Sequence, residues 1–493
     1  MKGPVTSHKA SGARKTSATA KRKTGVQSSG RLPQLVVRIV VVLVPVAALM
    51  FVVPSYGSTW YFYDEWSMIT RILNTPDLLR AAFEPYNGHL YAVCYFVYRL
   101  QVNIGLNGHA LIWSVFCLSL LACNVAVALV LWKSGVPPLV AVIAGAVVTY
   151  LGPAAQLSTF EILFTWDGAI ALSFFAAYLA IRRRQGTHAR TAIAVAALLV
   201  LAIGFDSASA YGGLLFVAVL VGLRWRDRWV SLALGPPLFA AALFQVRSGG
   251  SLGQSVSVSR EIVFFLRLIL RSVGALVGGG EAAGAVAIVL AAAALVWGFL
   301  RGMLSGTPSH LLIAGSLAAV ALAGSVAVTR AGVVGDDFWD FNRYIGLVGV
   351  YFLAALLPPL VATCEGFLAR SRSGAVGTRW FVPTLALLLI VVFLLNLSPF
   401  TKYRSVLEGW QQETHTLVAQ VSSIVARGCG DGRHVVADAE PLGSLDPQIS
   451  VALVSQLEED KHLKLAGSAR SELLTYPVAA ATLESLRASM CVR

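Results

Sequence analysis

Charged side chains are scarce in this chain. Asp, Glu, Lys and Arg make up 13% of its 493 residues, about half the share found in soluble domains, while 56% are hydrophobic and mean hydropathy is +0.71. A soluble globular protein is excluded. Cysteine is sparse as well: the six cysteines form no Cys-x-x-Cys pair, and Cys117, Cys123 and Cys364 lie in or beside apolar runs. That spacing excludes a structural zinc site. Neither a Gly-x-x-x-x-Gly-Lys-Ser/Thr loop, nor a His-Glu-x-x-His motif, nor a dinucleotide fingerprint occurs, so nucleotide-driven pumping has no support. Negative charge is absent from the first 63 residues; Asp64 is the first acidic side chain.

What is abundant is apolar sequence in span-sized blocks. A bilayer core takes roughly 20 apolar residues per helix, and on that ruler eleven spans are expected: 35–53, 110–132, 136–152, 162–181, 190–205, 211–223, 229–246, 275–300, 310–329, 345–364 and 380–397. The fold class is an all-α polytopic membrane protein. Residues 1–33 are basic, rich in Ser, Thr and Gly, and without apolar periodicity, which marks a disordered tail. A signal peptide is the rival reading, but the run after it is long for one and lacks a clean cleavage site.

Basic loops set the orientation. With the tail in the cytoplasm, the loops at Lys133, Arg182 to Arg190, Arg224 to Arg228, Arg301 and Arg370 to Arg379 all return there, as the positive-inside rule requires. The net charge of +14 is therefore a topology signal, and no nucleic-acid partner is expected. The scheme holds only if residues 260–274 do not cross: Arg260, Arg267 and Arg271 share one helical face there, which reads as a helix lying in the membrane interface, with a tilted span as the alternative. The opposite side then carries 54–109, a loop long enough for surface helices, and 398–493, whose composition is that of a soluble domain. In it, Arg404 to Arg427 and Ile449 to Leu457 have helical spacing, His434 to Ala437 resembles a strand, and Cys429 and Cys491 are either a disulfide or two buried thiols. A small extracytoplasmic domain, α/β or helical, follows.

Trp60-Tyr-Phe-Tyr-Asp-Glu-Trp66 organises this picture, because it sets two carboxylates among aromatics just beyond the first span. Asp64 could simply cap a helix starting at Glu65. A carboxylate at a lipid boundary is also what a polar reaction on a lipid substrate needs, with aromatics to position a sugar ring or prenyl chain.

An acidic motif directly after the first helix, a long first outer loop, eleven spans and an outer C-terminal domain together resemble the GT-C superfamily of polytopic glycosyltransferases. The stretch Phe83-Glu-Pro-Tyr-Asn-Gly-His-Leu90 is similar to the His-containing segment of its bacterial members. The resemblance implies a multi-pass protein of the cytoplasmic membrane that moves a sugar, with inversion, from a polyprenyl-phosphate donor to a hydroxyl on a glycan, lipid or protein. Asp64 would be the general base and Glu65 would orient the acceptor or the base. Arg343, with Tyr344 at the start of a late span, would hold the donor phosphate with its bidentate fork; pairing with Asp336, Asp337 or Asp340 is the alternative. Arg267 and Arg271 are second phosphate candidates, with membrane anchoring as their other role. His89, Glu161 and Asp206 are candidate substrate contacts, against structural roles at loop and helix ends. No metal constellation is evident and no cofactor is expected. The Ala-, Val- and Arg-rich composition points to an actinobacterial source, where mannose and arabinose donors of this kind are expected.

Two other readings compete. A transporter or lipid flippase should carry charges deep in several spans; here Asp167 alone sits deep in a span, while the other carboxylates named above gather at one surface. A non-catalytic scaffold would need no shared cavity. A glycosyltransferase requires Asp64 and Arg343 to face one hollow.

Overall fold

The structure is a computed structural model, and it describes residues 43–47, 49–50, 60–61, 64–86, 88–149, 155–156, 159–182, 189–225, 229–248, 256–332, 342–370, 374–427, 434–435, 449–460, 462 and 488–492. Three short helices come first: α1 (Asp64–Asn74), α2 (Leu78–Phe83) and α3 (Ala92–Ile104). α4 (Ala110–Lys133), α5 (Pro138–Thr149), a 3-10 turn (Glu161–Leu163), α6 (Phe164–Arg182), α7 (Ala189–Phe205), α8 (Ser207–Arg224) and α9 (Trp229–Ser248) follow. The second half contains α10 (Val258–Leu276), α11 (Glu281–Leu300), α12 (Thr307–Arg330), α13 (Arg343–Arg370), α14 (Gly374–Arg427) and α15 (Val451–Glu459). One antiparallel strand pair, β1 (His434–Val435) with β2 (Cys491–Val492), completes the described elements.

Among the described residues, seven helices are long and apolar enough to cross a membrane. The chain is a helical membrane protein. Shorter apolar helices occupy Pro138–Val148, Ala189–Phe205 and Trp229–Phe244; most of the first expected span lies outside the described residues.

Apolar composition runs all round these helices, so burial rather than amphipathicity sorts them. In α13, 83% of the most apolar window is buried in protein, against 11% in α11. α6 and α13 are central, and α11 presents Val289, Leu290 and Phe299 outward, as a lipid-facing helix does. α6 packs against α4, α7 and α8, while α13 packs against α12 and α10.

α10 covers the stretch read as an interfacial helix: Phe264 and Leu268 are buried, Ile262, Val263 and Leu266 are exposed, and it is not among the apolar spans found in the described residues. It lies against α11 through glycine, since a Cβ on Gly284 would overlap the carbonyl of Leu270. The domain boundary expected at 397 falls inside α14, which continues without a break to Arg427. Of the segment beyond it, α15 and the strand pair are described, and the 436–437 end of the expected strand is not. Cys491 is disulfide-bonded, whereas Cys94, Cys117, Cys123 and Cys364 are free thiols; Cys429 lies outside the described residues.

Candidate functional site

α1 starts with two carboxylates, Asp64 and Glu65, in its first turn, where the helix dipole favours negative charge. Consecutive helical residues point about 100° apart. The two acids therefore part company. Asp64 is half-buried and lines a cavity of about 40 Å³ whose other walls include Tyr86, His89, Tyr91, Trp166, Arg330, Arg343 and Tyr344. That volume suits a hydroxyl or one phosphoryl oxygen with water, not a whole sugar.

A tight turn delivers two of these walls. Tyr86 and His89 exchange backbone hydrogen bonds of 2.9 and 2.8 Å across Gly88, whose φ of 77° belongs to the left-handed region that glycine adopts freely. Arg71 fixes this turn to α1, since its guanidinium donates to the carbonyls of Ala81, Glu84 and Pro85. The Tyr86 hydroxyl then reaches Asp64 Oδ1 at 3.5 Å, the outer limit of a hydrogen bond.

His89 is held from both sides. Its Nδ1 lies 3.1 Å from Asp206 Oδ1, and its Nε2 lies 3.3 Å from Arg330 Nη2. Arginine only donates, so Nε2 must accept and Nδ1 must carry the proton given to Asp206. This fixes one neutral tautomer. Asp206 in turn caps α8 by accepting from the Ser209 amide at 2.8 Å, and Leu90 donates to Ser207 Oγ at 3.0 Å. The turn is thus riveted to the start of α8.

Arg343 opens α13 and lines the same cavity. Its backbone amide and that of Gln156 make reciprocal bonds with the Gln156 and Asn342 side chains, at 3.4 and 2.9 Å. The guanidinium lies 5.6 Å from the Trp166 ring centroid and 5.5 Å from that of Tyr344, within cation–π range. Trp166 is itself oriented by donating to the Tyr91 hydroxyl at 3.4 Å. A charged group is held there by aromatic faces.

Burial pushes the Asp64 carboxyl above its ordinary value, against the opposing pull of Arg343 and the Tyr86 hydrogen bond. The Tyr91 phenol is also pushed up, first by burial and then by Asp206. The arrangement is a carboxylate with raised basicity facing guanidinium groups across a small aromatic-walled hollow. It can accept a proton from a group that also lies next to a bound anion.

Of the residues singled out in the sequence, Asp64, His89, Arg343 and Tyr344 converge on this cavity, and Asp206 supports it through His89. Glu65 does not. It is fully buried, accepting from the Tyr98 hydroxyl and from His109 Nε2 at 3.0 Å. Glu161 is buried too, accepting from Gln411 Nε2 at 2.9 Å, and only its neighbours Ile162 and Leu163 wall the cavity. Arg267 and Arg271 lie elsewhere, at 3.9 and 2.7 Å from Glu281 on α11. Asp336, Asp337 and Asp340 lie outside the described residues. Arg330, Tyr86, Tyr91 and Trp166 were not singled out. Arg330 has the same signature as Arg343, an arginine at the end of an apolar run, and the run Tyr86 to Tyr91 holds two aromatics flanking a histidine. Among the described residues no three His, Cys, Asp or Glu side chains are grouped to hold a metal ion. No family model matches the chain, nor does any curated protein or solved structure.

Proposed function

We propose that the chain is a membrane glycosyltransferase of GT-C type, with about eleven spans, using a polyprenyl-phosphate sugar at the outer face of the cytoplasmic membrane. The observation that carries this reading is that Asp64 and Arg343, 279 positions apart in sequence, line one cavity. Asp64 takes the proton of an acceptor hydroxyl as the oxygen attacks the anomeric carbon. The bond from that carbon to the phosphate oxygen breaks, the configuration inverts, and the phosphate leaves with its charge met by Arg343. Arg330, steadied by His89, lies on the same wall system and adds positive potential. Trp166 and Tyr344 keep the Arg343 fork in place, so little reorganisation is needed as charge develops. The half-burial of Asp64 keeps it a stronger base than an exposed carboxylate.

The disulfide at Cys491 supports an extracytoplasmic C-terminal segment, because disulfides persist in oxidising compartments. The acceptor is a glycan, lipid or protein hydroxyl. The test is mass spectrometry of cell-envelope glycans in a strain lacking the gene. Loss of one glycosyl increment is expected, restored by the wild-type gene and not by Asp64→Asn; an unchanged glycan profile, or rescue by Asp64→Asn, would overturn the reading.

A further inference from the structure

The Asp64 cavity, at about 40 Å³, has room for reacting atoms but not for sugar rings, which need a larger space nearby. A second hollow, of about 680 Å³, opens on α10 and is lined by Ser259, Arg260, Val263 and Arg267. That is the size of sites that take a drug-sized ligand, roughly 300–1,000 Å³, and among the described residues it shares none with the Asp64 cavity. The two lie at the same end of the helix bundle. α14 leaves its apolar span at Asn396, whose side chain donates to the Ala275 carbonyl of α10 at 2.9 Å, and runs on to Gln411, which donates to Glu161 beside two walls of the Asp64 cavity. α10 also packs against α12 and α13, the helices that carry Arg330 and Arg343.

The charge of this hollow has one sign. Two guanidiniums and no carboxylate are among its described lining residues. Glu261 follows Arg260 and so points about 100° away round the helix, and Glu281 makes its shorter bond, 2.7 Å, to Arg271, against 3.9 Å to Arg267. Ile262 and Leu266 are exposed, and each precedes a lining residue, so their stripe is turned from the arginines by a similar angle. An acyl chain would lie along that stripe and not in the hollow.

We propose that the hollow on α10 binds the acceptor, and that the acceptor is an acidic glycan whose carboxylate or phosphate groups meet Arg260 and Arg267. The inference rests on the proposed function and names its acceptor class. Arg267 then serves the acceptor, while the donor phosphate stays with Arg343. Charge-assisted bonds from two guanidinium forks hold an anionic chain more firmly than a neutral one. A chain seated there can extend a terminal hydroxyl to Asp64 along the same end of the bundle.

The test is calorimetric titration of the full-length protein in detergent with three probes: trigalacturonate, a trisaccharide carrying one phosphate, and neutral maltotriose. At least one acidic sugar should bind and maltotriose should not. Arg260→Gln should weaken the acidic sugar about tenfold, as loss of one charged hydrogen bond does. Val263→Trp, which fills the hollow and keeps both arginines, should weaken it as much. Both positions are exposed, so neither variant disturbs the core. Failure of both acidic sugars to bind, equal binding of maltotriose, or wild-type affinity in either variant would overturn the inference. So would native mass spectrometry from nanodiscs in which wild type retains phosphatidylglycerol, Arg260→Gln loses it and no sugar binds, since the hollow would then be a lipid headgroup site. Absence of any transfer by wild type would sink the proposed function, while the titration would still decide whether the hollow takes an acidic glycan.

Discussion

Asp64 sits between opposing influences, and each can be removed singly. Burial raises its carboxyl above the ordinary range while Arg343 pulls it down. Activity that needs the ionised form should therefore fall as pH drops through a value above that of a free aspartate. With Arg343→Ala the opposing cation is gone, so the acid limb should move to higher pH, and kcat should fall about 10²-fold for loss of one charge-stabilising group. A pH-rate series on the two proteins checks both statements. Asp206→Ala should cost about 1 kcal/mol of stability as a lost helix cap, read as a lower Tm, and should also free His89 from its fixed tautomer. At this scale the sequence pointed to residues that share the cavity where an ionisable residue met an apolar run, as at Asp64 and Arg343. It could not choose at Glu65 between orienting the acceptor and orienting the base, because which way a residue turns on α1 depends on what α1 packs against; Glu65 turns away from the cavity, onto Tyr98 and His109. Arg330 escaped notice because an arginine ending a span looks like a topology signal.

Element by element, the apolar blocks were legible because a bilayer-crossing helix must satisfy its backbone internally and present apolar side chains to lipid. Expected spans at 110–132, 162–181 and 310–329 match α4, α6 and α12 within a few residues. The end of the last span was not legible as a boundary. After Asn396 the composition turns polar but keeps helical spacing, so α14 has no local reason to stop before Arg427. The pairing of α10 with α11 depends on tertiary closeness that no periodicity reveals. Gly284→Val would drive a side chain into the Leu270 carbonyl and should destabilise the α10–α11 pair by about 1–3 kcal/mol. Thermal unfolding in detergent would show a lower Tm, with the acid limb of the pH-rate profile unchanged because α10 does not wall the Asp64 cavity.

For the whole molecule, the account needs the cavity and the exposed Glu84 to lie on one side of the membrane and the exposed Arg301 on the other. A membrane-impermeant maleimide applied to intact cells should label Glu84→Cys and spare Arg301→Cys; the reverse pattern would invert the topology. The Cys491 disulfide agrees with that orientation. The most direct measurement is transfer of radiolabelled mannose or arabinose from a short-chain polyprenyl phosphate by the purified, reconstituted protein and by its Asp64→Asn variant. The account predicts a product of inverted configuration from the wild type and a rate lower by about 10²-fold or more from a folded Asp64→Asn protein. Transfer by Asp64→Asn at the wild-type rate would contradict it.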